Sequence, residues 1–304
     1  MKRKIVLTIG VFDGFHRGHQ VLVRETVRLA RRLKACPVAL TFTRHPLNVL
    51  HRNGMVPFLY PREETYRALR AAGIERVLAV EFTKRYATQT PGEFIRRMAR
   101  RFNLKGVVVG TNFRFGAGNK GDGKVLRRLG VRNGFKVLSV GLKGGAGKVV
   151  SSSRIRSALL QGRVEDANRM LGRPFHITGL VSRGRRIGRG MGYPTANLKD
   201  MGCFIPRHGI YACFVETGGR SYRGGLDLGI QPTVSGGDPR VRAEVHLLGF
   251  QGDLYGRRIR IRLVKYLRPE IRFRDLATLA RQIRRDIETI GKMKMPKGRE
   301  EGSR

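Results

Sequence analysis

Apolar and polar residues follow two different rhythms along the chain. In the first half, the short apolar runs Ile5–Ile9, Val38–Phe42, Val77–Val80, Gly106–Gly110 and Lys136–Ser139 have the length of buried strands. Between them, Gly18–Leu33, Arg62–Ala72, Pro91–Phe102 and Lys124–Asn133 repeat their apolar positions with helical spacing. Strands alternating with helices predict a doubly wound parallel sheet covered on both faces. In such sheets ligands bind beyond the carboxyl ends of the strands. From about Phe175 to Leu267 the rhythm changes to short β-type runs split by Gly, Pro and Asp, among them His176–Val181, Gly209–Glu216, Val241–Leu248 and Arg258–Lys265. That spacing predicts a small antiparallel β-barrel. One amphipathic helix, Asp275–Ile290, follows it.

The fold class expected is therefore α/β, with an N-terminal doubly wound parallel-sheet domain and a C-terminal small antiparallel β-barrel domain closed by a terminal helix. The boundary is expected at Leu171-Gly172-Arg173-Pro174, where a helical run stops at Gly and then Pro. This gives domains 1–172 and 173–290, with 291–304 as a flexible basic tail.

Bulk properties narrow the classes. No run approaches the roughly 18 to 20 apolar residues of a membrane helix, so no membrane partner is expected. Met1–Ile9 is too short in its apolar part, and lacks the cleavage site, to be a signal peptide. Cys36, Cys203 and Cys213 form neither a CxxC pair nor a metal-ligand spacing, and their odd number excludes a complete disulfide framework. Reduced cysteines fit a cytoplasmic protein. The formal charge of +40 invites a nucleic-acid reading. The basic residues are spread over the whole chain, as on the helical face Arg24–Lys34, rather than gathered into a stripe. No specific nucleic-acid partner is expected from that distribution, only weak non-specific polyanion binding.

The strongest local signal is Thr8-Ile9-Gly10-Val11-Phe12-Asp13-Gly14-Phe15-His16-Arg17-Gly18-His19. A strand ends, a Gly-rich turn follows and a helix begins. Helix N-termini offer unpaired N–H groups and a positive dipole end to phosphate. Gly10, Gly14 and Gly18 allow close backbone approach, and imidazoles can hydrogen-bond a phosphate as charge builds on it. In the second half, Gly184, Gly188, Gly190 and Gly192 precede Tyr193-Pro194-Thr195-Ala196-Asn197. The spacing fits neither a P-loop nor a protein-kinase loop. Thr195 and Asn197 share strand parity and carry hard oxygen donors suited to Mg²⁺.

The first segment resembles the N-terminal module of the bacterial bifunctional riboflavin kinase/FAD synthetases. The resemblance extends through Thr41-Phe42-Thr43-Arg44-His45-Pro46, Gly110-Thr111-Asn112-Phe113-Arg114-Phe115-Gly116 and Val150-Ser151-Ser152-Ser153-Arg154-Ile155-Arg156. The family usually has Thr where Ser153 stands. Asn112 lies within the family's Asp/Asn pattern. The resemblance implies that His16 and His19 contact ATP phosphates and that Asn112 helps hold the reacting phosphates. It also implies that Gly10, Phe12, Gly14, Gly18, Ser152, Ser153 and Arg156 bind the nucleotide. The Gly-Tyr-Pro-Thr-Ala-Asn stretch is similarly the mark of riboflavin kinases. It is continued by His208–Ala212, Leu228-Gly229-Ile230-Gln231-Pro232-Thr233, Glu244–Leu248 and Asp253–Gly256.

That second resemblance implies Glu244 as general base, Gly184, Gly190, Thr195 and Asn197 at ATP, Thr195 and Asn197 at Mg²⁺, and Tyr255 and Arg268 at the flavin. Relatives usually carry Asn at the position of Asp227 and Asp at the position of Gly249, and the charge is atypical of the family. Together the motifs imply an enzyme that phosphorylates riboflavin to FMN and adenylylates FMN to FAD, with ATP as co-substrate and Mg²⁺ as cofactor. Its partners would be riboflavin, FMN, FAD and ATP. Two alternatives remain: another nucleotidyltransferase with the His-x-Gly-His motif, and a basic nucleic-acid-binding protein on a degenerate enzyme scaffold.

Overall fold

The computed structural model describes residues 2–50, 55–141, 149–183, 192–231 and 240–294. The chain divides into two compact units, Met1–Arg154 and Ile155–Arg304.

The elements of the first unit run β1 (Lys4–Ile9), α1 (Arg17–Arg32), β2 (Cys36–Phe42), α2 (Pro46–Leu50), α3 (Arg62–Ala71), β3 (Arg76–Val80), α4 (Lys84–Ala87), α5 (Pro91–Arg101), β4 (Asn103–Gly110), α6 (Gly123–Asn133) and β5 (Lys136–Val140). The sheet order is β3-β2-β1-β4-β5, and every pairing is parallel. Central strands buried on both faces must be apolar at every position. β1 follows this except at the buried Thr8: Ile5, Leu7 and Ile9 pack with Phe94, Ile95 and Met98 of α5 and Leu126 of α6, while Val6 packs with Leu22, Leu29 and Ala30 of α1. The helix starts follow local chemistry. Thr90 and Glu93 form a reciprocal capping box before Pro91, and Asp122 accepts the N–H groups of Lys124 and Val125 at 2.8 Å each. The expected strands and the expected helices lie within a residue or two of these bounds, except that β4 starts three residues before its apolar run, at Asn103; the short helices α2 and α4 have no counterpart in the sequence reading.

α7 (Ser152–Leu160) leads into α8 (Val164–Leu171), which stops where Gly172 takes the left-handed conformation (φ 79°) that glycine adopts without strain. Then come β6 (His176–Ser182), β7 (Thr195–Lys199), β8 (Gly209–Thr217), β9 (Arg220–Gln231), β10 (Arg240–Leu247), β11 (Arg258–Arg268) and α9 (Leu276–Gly291). The six strands close into a barrel in the order β10-β7-β6-β11-β8-β9, and every pairing between named strands is antiparallel. Alternation sorts β10 cleanly. Ala243, Val245 and Leu247 are buried in the core, so Arg242, Glu244 and His246 occupy the opposite, outer face. Leu226 and Leu228 of β9 are likewise buried, which turns Asp227 outward beside Glu244, its register partner. α9 packs on β9.

Candidate functional site

The first unit gathers its chemistry where β1 ends. With strand order β3-β2-β1-β4-β5, chain connections leave β1 and β4 in opposite directions, and the switch point opens a crevice at their carboxyl ends. The loop after β1 is unusual in its backbone. Phe12 (φ 53°), Gly14 (φ 74°) and Phe15 (φ 39°) are all left-handed. Glycine does this freely, but a residue with a Cβ pays roughly 1–2 kcal/mol. Surrounding contacts must therefore hold the loop. Phe12 and Phe15 are buried against Val23, Ala39 and Leu69. Asp13, 1% exposed, accepts the Leu59 N–H at 2.7 Å. Arg62, at the start of α3, donates to the Val11 carbonyl at 3.0 Å and to Thr41 Oγ1 at 2.6 Å, and the Thr41 hydroxyl donates to the same carbonyl at 3.1 Å.

The loop delivers His16 as the N-cap of α1, its Nδ1 accepting the His19 N–H at 3.4 Å. The two imidazoles stack, centroids 3.7 Å apart and planes 16° from parallel, and the Phe12 ring meets His19 edge-on at 5.2 Å. Burial, and secondly the neighbouring His16, push the His19 pKa well below its usual value. His19 is therefore neutral near pH 7, and its buried Nδ1 has no partner among the described residues. The stacked imidazole pair thus stands at the positive end of a 16-residue helix, where backbone N–H groups point outward.

Ser152 of α7 donates to the Asp13 carbonyl at 2.9 Å, joining this loop, while Ser153 is exposed beside it. Asn112 is exposed just past β4, the strand beside β1. Gly10 donates to the Leu40 carbonyl at 3.1 Å, and Gly14 and Gly18 are buried. Phe12 has no exposed side chain, so what it can present to a nucleotide is backbone. Arg156 is half-buried on α7. The motif reading assigned no role to Asp13, Thr41 or Arg62. Asp13 and Thr41 lie inside the quoted motifs, and Arg62 opens the helical pattern Arg62–Ala72.

The second unit assembles its polar cluster on the outer face of the barrel. β7 and β10 place Asn197 opposite Glu244 and Thr195 opposite His246, and the Thr195 hydroxyl donates to Glu244 Oε2 at 3.3 Å. His246 Nδ1 lies 2.8 Å from the Pro194 carbonyl and pins the turn before Thr195, a contact between segments 52 residues apart that no local pattern signals. A cavity of about 490 Å³ opens beside Thr195, walled by Pro194, Leu247, Phe250, Leu254 and Tyr255. That volume lies within the range of about 300–1,000 Å³ usual for small-molecule sites. Tyr255 is exposed. Arg268 is not free: Asp286 of α9 takes its Nη2 at 2.7 Å and its Nε at 3.1 Å. Gly184 and Gly190 lie outside the described residues. Asp227 faces Glu244 across the β9–β10 ladder, and burial, with Glu270 and Glu244 nearby, raises its pKa to about 6 against the pull of Arg242.

Comparison with known proteins agrees with this division. The FAD synthetase family matches residues 1–154 and the riboflavin kinase family matches residues 171–294. The chain is 37% identical over 283 residues to the bifunctional riboflavin kinase/FMN adenylyltransferase of Escherichia coli, covering 92% of this chain and 90% of that protein. It is 34% identical over 299 residues to the Pseudomonas fluorescens protein of the same name, covering 97% and 94%. A crystal structure described as a macrolide-efflux protein from Streptococcus pneumoniae superposes with a TM-score of 0.89 at 29% identity, covering 97% of this chain and 96% of that one. Among the described residues of the present chain, no helix is long and apolar enough to cross a membrane. With both family modules matched in order and curated relatives aligned nearly end to end, the chain belongs to the bifunctional riboflavin kinase/FMN adenylyltransferase family.

Proposed function

We propose that the second unit phosphorylates riboflavin to FMN and that the first unit transfers AMP from ATP to FMN, giving FAD and pyrophosphate. The observation that carries the kinase assignment is the 3.3 Å contact between Thr195 and Glu244, with Asn197 directly opposite Glu244 on the adjacent strand. Thr195 and Glu244, 49 positions apart, thus share one half-buried face with Asn197, bringing together a hydroxyl, a carboxylate and an amide. Glu244 accepts the proton of the primary ribityl hydroxyl as that oxygen attacks the γ-phosphorus. Thr195 gives its own proton to Glu244 and keeps its oxygen lone pairs free, so Thr195 and Asn197 fit as hard oxygen ligands for Mg²⁺. When bound, the ion neutralises charge on the transferring phosphates. Tyr255, on the cavity wall, and Arg268 serve the flavin side.

In the first unit, His16, His19 and the N-terminal turn of α1 stabilise charge on the triphosphate as FMN phosphate oxygen attacks the α-phosphorus. Asn112, Ser152 and Ser153 position the same phosphates. No covalent nucleophile is needed. The enzyme works in the cytoplasm, a placement supported by the buried thiols of Cys36 and Cys213, which form no disulfide. The test is direct. Purified protein given riboflavin, ATP and Mg²⁺ should yield FMN and then FAD by chromatography, and FMN supplied in place of riboflavin should yield FAD. Failure to form FMN from riboflavin would remove the kinase assignment, and failure to form FAD from FMN the transferase one.

A further inference from the structure

The kinase face carries more charge than the motif requires. Three carboxylates converge on one guanidinium there. Arg242 Nη2 lies 3.0 Å from Asp227 Oδ2 and donates also to Glu270, while its Nη1 stands 3.8 Å from Glu244 Oε1. The four groups come from three places: Asp227 from β9, Arg242 and Glu244 from β10, and Glu270 from just past β11. The backbone is cut to fit the arrangement. Glu270 lies over Gly229, where a Cβ would meet its carboxylate oxygens at 2.5 and 2.6 Å, so a side chain at 229 would evict it. Other charges nearby are turned elsewhere: Asp286 of α9 holds Arg268, and His246 holds the Pro194 carbonyl.

We propose that Arg242 is a positioning residue for the phosphoryl-transfer site, holding Glu244 in place against the repulsion of Asp227 and Glu270. This rests on the reading of Glu244 as the base. Like charges this close repel strongly in a partly buried setting. Without Arg242, the cheapest relief is for a carboxylate to swing away, and among the described residues the other contact that holds Glu244 is the one with Thr195 at 3.3 Å. Burial first, and then Glu270 and Glu244, raise the Asp227 pKa to about 6 against the pull of Arg242. Formally the cluster is −2, three carboxylates against one guanidinium. Arg242→Gln makes it −3, and adding Asp227→Asn returns it to −2.

Charge compensation in the full-length chain tests this. R242Q should lower kcat for riboflavin phosphorylation on the order of tenfold or more, the size of coupling seen within one ion-pair network, with the KM for riboflavin little changed. R242K should restore most of that loss. The R242Q/D227N double variant should recover most of it too, although it lacks the arginine. Adenylylation of supplied FMN reports that the rest of the chain is intact. A double variant no faster than R242Q would overturn the inference, because a merely structural arginine is not replaced by removing a carboxylate. Where R242Q alone does not fold, the double variant carries the test: if it folds yet has no more kinase activity than Glu244→Gln, the inference fails. Glu244→Gln also separates the two levels. If that variant keeps full kinase activity, the base assignment itself is wrong; if it is inactive and compensation is absent, only the role of Arg242 falls.

Discussion

Replacing Arg62 by Met should damage FMN adenylylation while sparing riboflavin phosphorylation in the same polypeptide. Arg62 acts on the histidines through the backbone, because it braces the loop on which His16 stands. Its guanidinium donates to the Val11 carbonyl and to Thr41 Oγ1, and it lies 4.7 Å from the Phe58 ring centroid and 5.1 Å from that of Tyr66. Two hydrogen bonds from a charged donor contribute about 3–6 kcal/mol in all. Two effects offset this. Thr41 continues to donate to Val11, so no carbonyl is orphaned. Arg62 Nε is buried without a partner, and removing it relieves about 1–3 kcal/mol of desolvation. Methionine keeps most of the packing against the two rings. Taking the middle of each range, the net cost is about 2–3 kcal/mol, comparable to the roughly 1–2 kcal/mol per residue that left-handed Phe12 and Phe15 store. The loop should therefore relax, and a displacement of about 1 Å at the histidines would slow adenylyl transfer on the order of 100-fold. The assay compares FAD formed from supplied FMN with FMN formed from riboflavin, alongside urea unfolding followed separately in each unit. If R62M formed FAD within about threefold of the parent rate and the first unit unfolded at an unchanged urea concentration, the bracing argument would be refuted.

Other expectations follow from single groups. His19→Ala should let FMN accumulate with FAD formation reduced about 100- to 1,000-fold, the worth of one donor to developing charge; unaffected FAD output would remove His19 from the site. Glu244→Gln should slow riboflavin phosphorylation about 100- to 10,000-fold while adenylylation of supplied FMN survives, and chromatography of both reactions distinguishes the outcomes. The two units should also respond oppositely to pH. His19 is depressed when folded, so its contribution to the first unit is complete above the unfolded value of 6.5 and is lost as pH falls from there toward the folded value. Asp227 is raised from 3.8 to about 6, so its contribution to the barrel is complete below the unfolded value and lost as pH rises through about 6. Asp227→Asn should then stabilise the barrel at pH 8 by about 1 kcal/mol, discounted for partial exposure, with the advantage fading below pH 4; hydrogen exchange at the two pH values measures it.

Much of the fold was legible because burial and periodicity coincide. The apolar run Ile5–Ile9 reads as a central strand since both faces of β1 are covered. β10 reads as a barrel strand since Ala243, Val245 and Leu247 alternate with Arg242, Glu244 and His246. β9 was not singled out, although it spans twelve residues. Gly224, Gly225 and Gly229 erase its alternation, and each is there because something presses on the backbone: the His246 carbonyl at 2.6 Å from a Cβ at 224, Ile290 at 3.2 Å from one at 225, and Glu270 at 229. A glycine that makes room for a neighbour from a distant segment is indistinguishable, in sequence, from one that makes a turn.

The same limit governs the sites. Motifs announce residues whose neighbours are close in sequence, as His16 and His19 are across one turn of α1. They do not announce residues whose meaning comes from across the fold. Arg62 looks like the first solvated charge of a helix until Val11 and Thr41 are found against it. Asp227 looks like a departure at one position until Arg242, 15 residues away, and Glu270, 28 residues beyond that arginine, are found around it. In so basic a chain, with 62 Lys and Arg, no single arginine stands out by composition. What separates these two from the rest is the partners each engages: Arg62 braces strained backbone, and Arg242 balances carboxylates beside the base. A basic side chain with neither kind of partner should be replaceable at little cost to either reaction, so function in this chain is to be sought where its arginines are held rather than where they are numerous.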